Sequence, residues 1–78
     1  MTFEEAHQKA MEVKSLLQPH CERIQIAGSV RRHVKSRPIK DIEIVAIPKP
    51  YESVGFIQTG IASILNNWKY SKGELGSK

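Results

Sequence analysis

The chain contains a single cysteine, Cys21, so no internal disulfide can brace it. That fits a reducing compartment, and the cytoplasm is the expected location, with the thiol buried or idle. No apolar run is long enough to cross a bilayer. The opening residues "MTFEEAHQK" carry acids and no apolar signal core, so neither a membrane span nor a secretory signal is read. Internal repeats and low-complexity stretches are also missing. Neither GxxxxGK[ST] nor GxGxxG occurs, which excludes a Walker A loop and a dinucleotide fingerprint. Nothing reads as a helix-turn-helix, a zinc finger or an aromatic RNA-binding sheet, so sequence-specific base readout has no support. Acids are scarce in the middle of the chain. From Arg23 to Pro50 only Asp41 and Glu43 stand against seven lysines and arginines.

The 78 residues suffice for one small domain, residues 1–78, with a modest core. An apolar content of 40% and a charged content of 26% are those of a globular protein. The net charge of +4 is concentrated in the middle, because the stretch from Met1 to Glu22 holds four acids and two lysines. A basic segment of this kind commonly meets phosphates, those of a nucleic acid backbone or of a nucleotide. A solvated basic loop without a partner is the plainer reading.

Four elements are predicted. Thr2, with Glu5 three residues later, makes a capping box, and Phe3, Ala6, Ala10, Val13 and Leu17 follow at helical spacing until Pro19. "RIQIAG" reads as a short strand ending at Gly28, and "IKDIEIVAIP" as a second, closed by Pro48 and Pro50. Ile57, Ile61, Ile64, Leu65 and Trp68 fit one face of another helix, against which Gly60 argues. "PKPYES" is the internal loop, and "SKGELGSK" reads as turn or tail. The expected class is α+β, with helices packed on a small mixed or antiparallel β-sheet.

The second strand carries the chemistry. Alternation points Ile42, Ile44 and Ala46 one way and Asp41, Glu43, Val45 and Ile47 the other. The two carboxylates then share a face at a spacing of about 6 to 7 Å along the strand. Such a pair can hold a hard divalent cation such as Mg2+, which accepts a few carboxylates plus water and phosphate oxygens, or it can be a solvated polar face. Gly28, at the end of the first strand, can adopt a backbone that other residues avoid. Ser29 adds a hydroxyl, and Arg31 and Arg32 add forked donors that match phosphate oxygens. His7, His20 and His33 lack metal-ligand spacing and read as surface residues. Trp68 reads as core on a helical face, although it and Tyr70 could stack on a base.

"AGSVRR" followed by "DIEIVAIP" resembles the palm of the family X DNA polymerases, the DNA polymerase beta-like members of the nucleotidyltransferase superfamily. The likeness covers roughly residues 23 to 48. It implies a nucleotidyltransferase-like fold and metal-dependent transfer of a nucleoside monophosphate from an NTP or dNTP to a hydroxyl, with DNA or RNA as further partners. By this resemblance Gly28 and Ser29 hold the triphosphate with Arg31 and Arg32, of which Arg32 is the stronger candidate. Asp41 and Glu43 are the catalytic, metal-binding acids, and Mg2+ is the cofactor, with Mn2+ as its substitute.

The sequence departs from the family pattern in three places. The second acid is usually aspartate, and the extra methylene of Glu43 displaces a ligand oxygen by about 1.5 Å. Lys40 stands where glycine is common, in a connection longer than usual. The family's later catalytic aspartate has no counterpart, since the acids after Glu43 are Glu52 and Glu74, neither in a strand-like setting. The chain is therefore expected to be the front half of a palm, an incomplete catalytic core. Two other classes stay open: an inactive module that binds nucleotide or nucleic acid, and a small self-associating regulatory protein. In a homo-oligomer, Glu52 or Glu74 of a second copy would be the acid to examine.

Overall fold

The computed structural model describes residues 1–33 and 37–72. Helix α1, Phe3–Leu17, begins at the capping box expected of Thr2 and Glu5. The Glu5 N–H donates to Thr2 Oγ1 (3.2 Å) and the Thr2 N–H donates to Glu5 Oε1 (3.0 Å). The backbone hydrogen bond from Thr2 holds the exposed Glu5 carboxyl below its usual range. Its support of the helix start is therefore present above the ordinary glutamate range and fades as pH falls through the lowered value.

Pro19 ends the helix in a 3₁₀ turn, Gln18–His20, which feeds strand β1, Cys21–Ala27. A four-residue helical turn, α2, Gly28–Arg31, follows. Strand β2, Ile42–Pro48, helix α3, Val54–Ala62, and strand β3, Trp68–Lys72, complete the order. The sheet runs β1-β2-β3, antiparallel between the first pair and parallel between the second. The fold is thus α+β with a three-stranded mixed sheet.

One sheet face holds the core. Ile24, Ile42, Ile44 and Ala46 are buried in a single cluster with Ala6, Ala10, Val13 and Leu17 of α1 and Ile57 and Ile61 of α3. Full burial of an aliphatic side chain is worth about 1.5–3 kcal/mol, so this cluster is the main source of stability. Gly60 stands beside Leu17 of that cluster for a steric reason. A Cβ there would stand 2.7 Å from Leu17 Cδ2, so the glycine that weakens α3 as a helix lets α3 lie close to α1.

Three expectations need correction. The second helix stops at Ala62 instead of running to Trp68, because Ser63, Asn66 and Asn67 favour turns and Asn67 offers its carbonyl to the Ile42 N–H (3.1 Å). Trp68 accordingly lies on a strand, half-buried against the core, and Ser71 and Lys72 belong to β3 and not to a tail. Residues 73–78, including Glu74, lie outside the described residues, as do residues 34–36. Among the histidines, His20 is not a plain surface residue: its Nδ1 lies 2.8 Å from Glu52 Oε2 and its ring meets Phe56 edge-on.

The strand bounds also differ slightly. β1 begins at Cys21 and ends before Gly28, while β2 begins at Ile42, after the expected Ile39 start. Cys21 is buried, and burial pushes its thiol up. No helix of the described residues is long and apolar enough to cross a membrane.

Candidate functional site

The sheet face opposite the core is open. On β2, Ile42, Ile44 and Ala46 are buried, whereas Glu43, Val45 and Ile47, with Asp41 just before the strand, are only partly covered. Their neighbours across the ladders, Gln25 on β1 and Lys69 and Ser71 on β3, are exposed. The expected separation of the two sets of β2 side chains is therefore what the sheet displays.

The connection between the strands brings the two halves of the motif together. Ala27 pairs with Glu43, so the turn leaving β1 begins beside that acid. Gly28 has φ +66°, the left-handed region that favours glycine. A Cβ there would stand 2.8 Å from Glu43 Oε1 and 3.1 Å from Glu43 Cβ. The glycine is needed twice over, for its backbone and for the space that the Glu43 side chain occupies.

Ser29 and Arg31 follow on α2, and Arg32 caps its end. Ser29 is half-buried and both arginines are exposed. Hydrogen bonds from the Arg32 N–H to Gly28 O (3.0 Å) and from the His33 N–H to Val30 O (3.2 Å) close the turn. His33 ends it at φ 57°, a backbone unusual for a residue with a side chain. Its ring lies 5.1 Å from that of Phe3, which ties the turn to α1. The far side of the connection is tied as well: the N-terminal ammonium donates to Ile39 O (3.2 Å) and the Ile39 N–H donates to Met1 O (2.7 Å). Both ends of the basic segment are thereby positioned by the start of α1.

Asp41 lies at the other side of Glu43. Its Oδ2 is 3.6 Å from Lys69 Nζ, and the pair is largely exposed. Lys40, Asp41, Asn66, Asn67, Trp68 and Lys69 line an open cleft of about 520 Å³ at this end of the sheet. Lys69 is the residue the sequence reading missed. In "WKYSK" Trp68 and Tyr70 alternate with Lys69 and Ser71, a period of two that could have marked a strand, while the face that Lys69 takes depends on its pairing with β2.

The donor set suits a hard cation in part. Two carboxylates on one open face, one of them seated over a glycine, offer oxygen ligands of the kind Mg2+ takes, with the rest left to water and phosphate oxygens. Among the described residues no third histidine, cysteine or acid gathers with them. Glu52 is held by His20 at the end of the sheet beyond Pro48, where Lys49 N–H donates to His20 O. Glu52 is therefore engaged elsewhere. In comparisons with known proteins, no family model matches this chain, no curated protein matches it, and no solved structure matches it.

Proposed function

We propose that this chain carries a nucleotidyltransferase palm motif of the DNA polymerase beta-like kind and binds a metal–nucleoside triphosphate complex on the open face of its sheet. The observation that carries the reading is the close packing of Glu43 against Gly28. It joins a phosphate-suited turn to a pair of acids distant from it in sequence, which a solvated basic loop does not require.

Asp41 and Glu43 would hold the cation. Ser29 Oγ and the guanidinium groups of Arg31 and Arg32 would face the triphosphate, and they have room to do so, since they are free of side-chain partners among the described residues. The reaction is attack of an acceptor hydroxyl on the α-phosphorus with cleavage of the bond to the bridging oxygen, so that pyrophosphate leaves. A bound divalent ion supplies charge stabilisation at the oxygens of that exchange. The arginines offset the charge that builds on the departing pyrophosphate. The acceptor's proton needs a base, and the described residues provide no carboxylate beyond Asp41 and Glu43 at this place. That observation favours a second reading, binding of the nucleotide without turnover.

Two measurements test the proposal. Titration with Mn2+, followed by paramagnetic broadening in NMR spectra, is expected to centre on residues 41 to 43; broadening centred on Glu4, Glu5 and Glu12 would remove the assignment. Arg32→Ala is expected to weaken binding of a Mg2+–triphosphate complex by about 1.5 to 3 kcal/mol, the range for hydrogen bonds to charged groups. Unchanged affinity, read by calorimetry, would leave the Gly28 turn as a structural connection only.

A further inference from the structure

An ion pair crosses from β3 to the start of β2, with Lys69 Nζ 3.6 Å from Asp41 Oδ2. One of the two carboxylates assigned above to a cation thus carries the ion pair, and the other, Glu43, stands opposite the same lysine's backbone in the parallel ladder. The Lys69 side chain is 71% exposed and Asp41 40%, so the ammonium can leave without disturbing the core. Two carboxylates and one ammonium leave about one negative charge at the site instead of two, which weakens the pull on a bare divalent ion in proportion. A cation that arrives on a triphosphate meets a different situation. Its phosphate oxygens give the released ammonium new anionic partners within reach of a flexible stem.

We propose that Lys69 is a displaceable counter-ion of the carboxylate pair, which makes the site prefer a metal–triphosphate complex over a bare divalent ion. The inference rests on the reading of Asp41 and Glu43 as the cation site. It deepens that reading by linking the two ligands: the metal frees the lysine and the lysine then holds the phosphate, so each strengthens the binding of the other.

The test compares Lys69→Gln with the unmodified chain in two titrations. One uses Mn2+ alone and follows NMR broadening. The other uses Mg2+ with α,β-methylene-ATP and follows fluorescence of Trp68, the chain's single tryptophan and a neighbour of Lys69 in the cleft. Lys69→Gln is expected to bind bare Mn2+ more tightly, by about two- to fivefold, the range for an exposed ion pair. It is expected to bind the Mg2+–nucleotide complex more weakly, by about three- to tenfold, for the loss of a charge-assisted contact. Lys69→Arg should keep both affinities near those of the unmodified chain. Lys40→Gln, which changes the net charge equally without touching the ion pair, should move bare Mn2+ binding less. Changes of the same sign in both titrations, or equal effects of Lys69→Gln and Lys40→Gln, would overturn the counter-ion role and leave the cation site standing. Absence of Mn2+ broadening at residues 41 to 43 in every variant would overturn the site and the role together.

Discussion

Gly28→Ala is expected to lower the unfolding free energy by about 2 to 5 kcal/mol and to displace the Glu43 side chain. Two costs add. A side chain forced into the left-handed region costs about 1–2 kcal/mol. The new Cβ would also stand 2.8 Å from Glu43 Oε1 and 3.1 Å from Glu43 Cβ. Central strand β2 cannot retreat, because Ile42 and Ile44 on its other face are fully buried, so overpacking of about 1–3 kcal/mol follows. A domain of this length has about 4 to 12 kcal/mol of stability in all, so the loss is a large fraction of it.

Gly55→Ala is the matched control. Its Cβ would meet only Ser53 Oγ at 3.9 Å, within helix α3, where alanine is the better helix former by about 1 kcal/mol. Urea unfolding followed by Trp68 fluorescence separates the two variants. A Gly28→Ala protein as stable as Gly55→Ala, with Glu43 resonances unmoved, would show that the turn and the acid are not packed as described. If they are, the same substitution is also expected to weaken Mn2+ binding, since the carboxylate that moves is one of the two ligands proposed for it.

The elements that the sequence revealed are those whose signals are local. The capping box at Thr2 and Glu5, the helical recurrence from Phe3 to Leu17, and the alternation of Ile42, Ile44 and Ala46 against Asp41, Glu43 and Val45 each specify a structure from neighbours a few residues apart. The boundary at Ala62 was not legible in this way. Ile57, Ile61, Ile64, Leu65 and Trp68 keep a helical period through the turn, because the core accepts apolar side chains from a turn and a strand as readily as from one helix face. What decides the boundary is the bond from the Ile42 N–H to Asn67 O and the pairing of Trp68 with Ile42, both made with a distant strand.

The same distinction holds at the site. Gly28, Ser29, Arg31, Arg32, Asp41 and Glu43 could be named because their residue types carry chemistry and their order resembles a known palm. The contact between Gly28 and Glu43 was not legible in the sequence, since it depends on how β1 and β2 register. Lys69 escaped notice because its importance comes wholly from the parallel pairing that sets it opposite Glu43. Tyr70 shows the reverse side of that alternation: its ring packs toward the core, and its hydroxyl is buried with no partner among the described residues.

The chain is expected to bind Mg2+–nucleotide yet to turn over at a rate about 10² to 10⁴ below that of a site with a base, the usual worth of general-base catalysis. The acceptor hydroxyl must lose a proton as it attacks, and Asp41 and Glu43, if they hold the cation, have their oxygens committed to it. Among the described residues no third acid, histidine or cysteine stands with them, and Glu52 is bound to His20 at 2.8 Å. A second copy offering Glu52 would have to break that pair first, so turnover should rise little with protein concentration. The assay is incorporation of labelled nucleotide with Mg2+ or Mn2+ on DNA and RNA acceptors, at several protein concentrations and alongside Asp41→Asn. Little turnover, with nucleotide binding that Asp41→Asn abolishes, is the expected pair of results. Fast turnover that Asp41→Asn abolishes would show that Asp41 and Glu43 suffice without a separate base, and turnover growing with the square of concentration would place the missing carboxylate on a second copy.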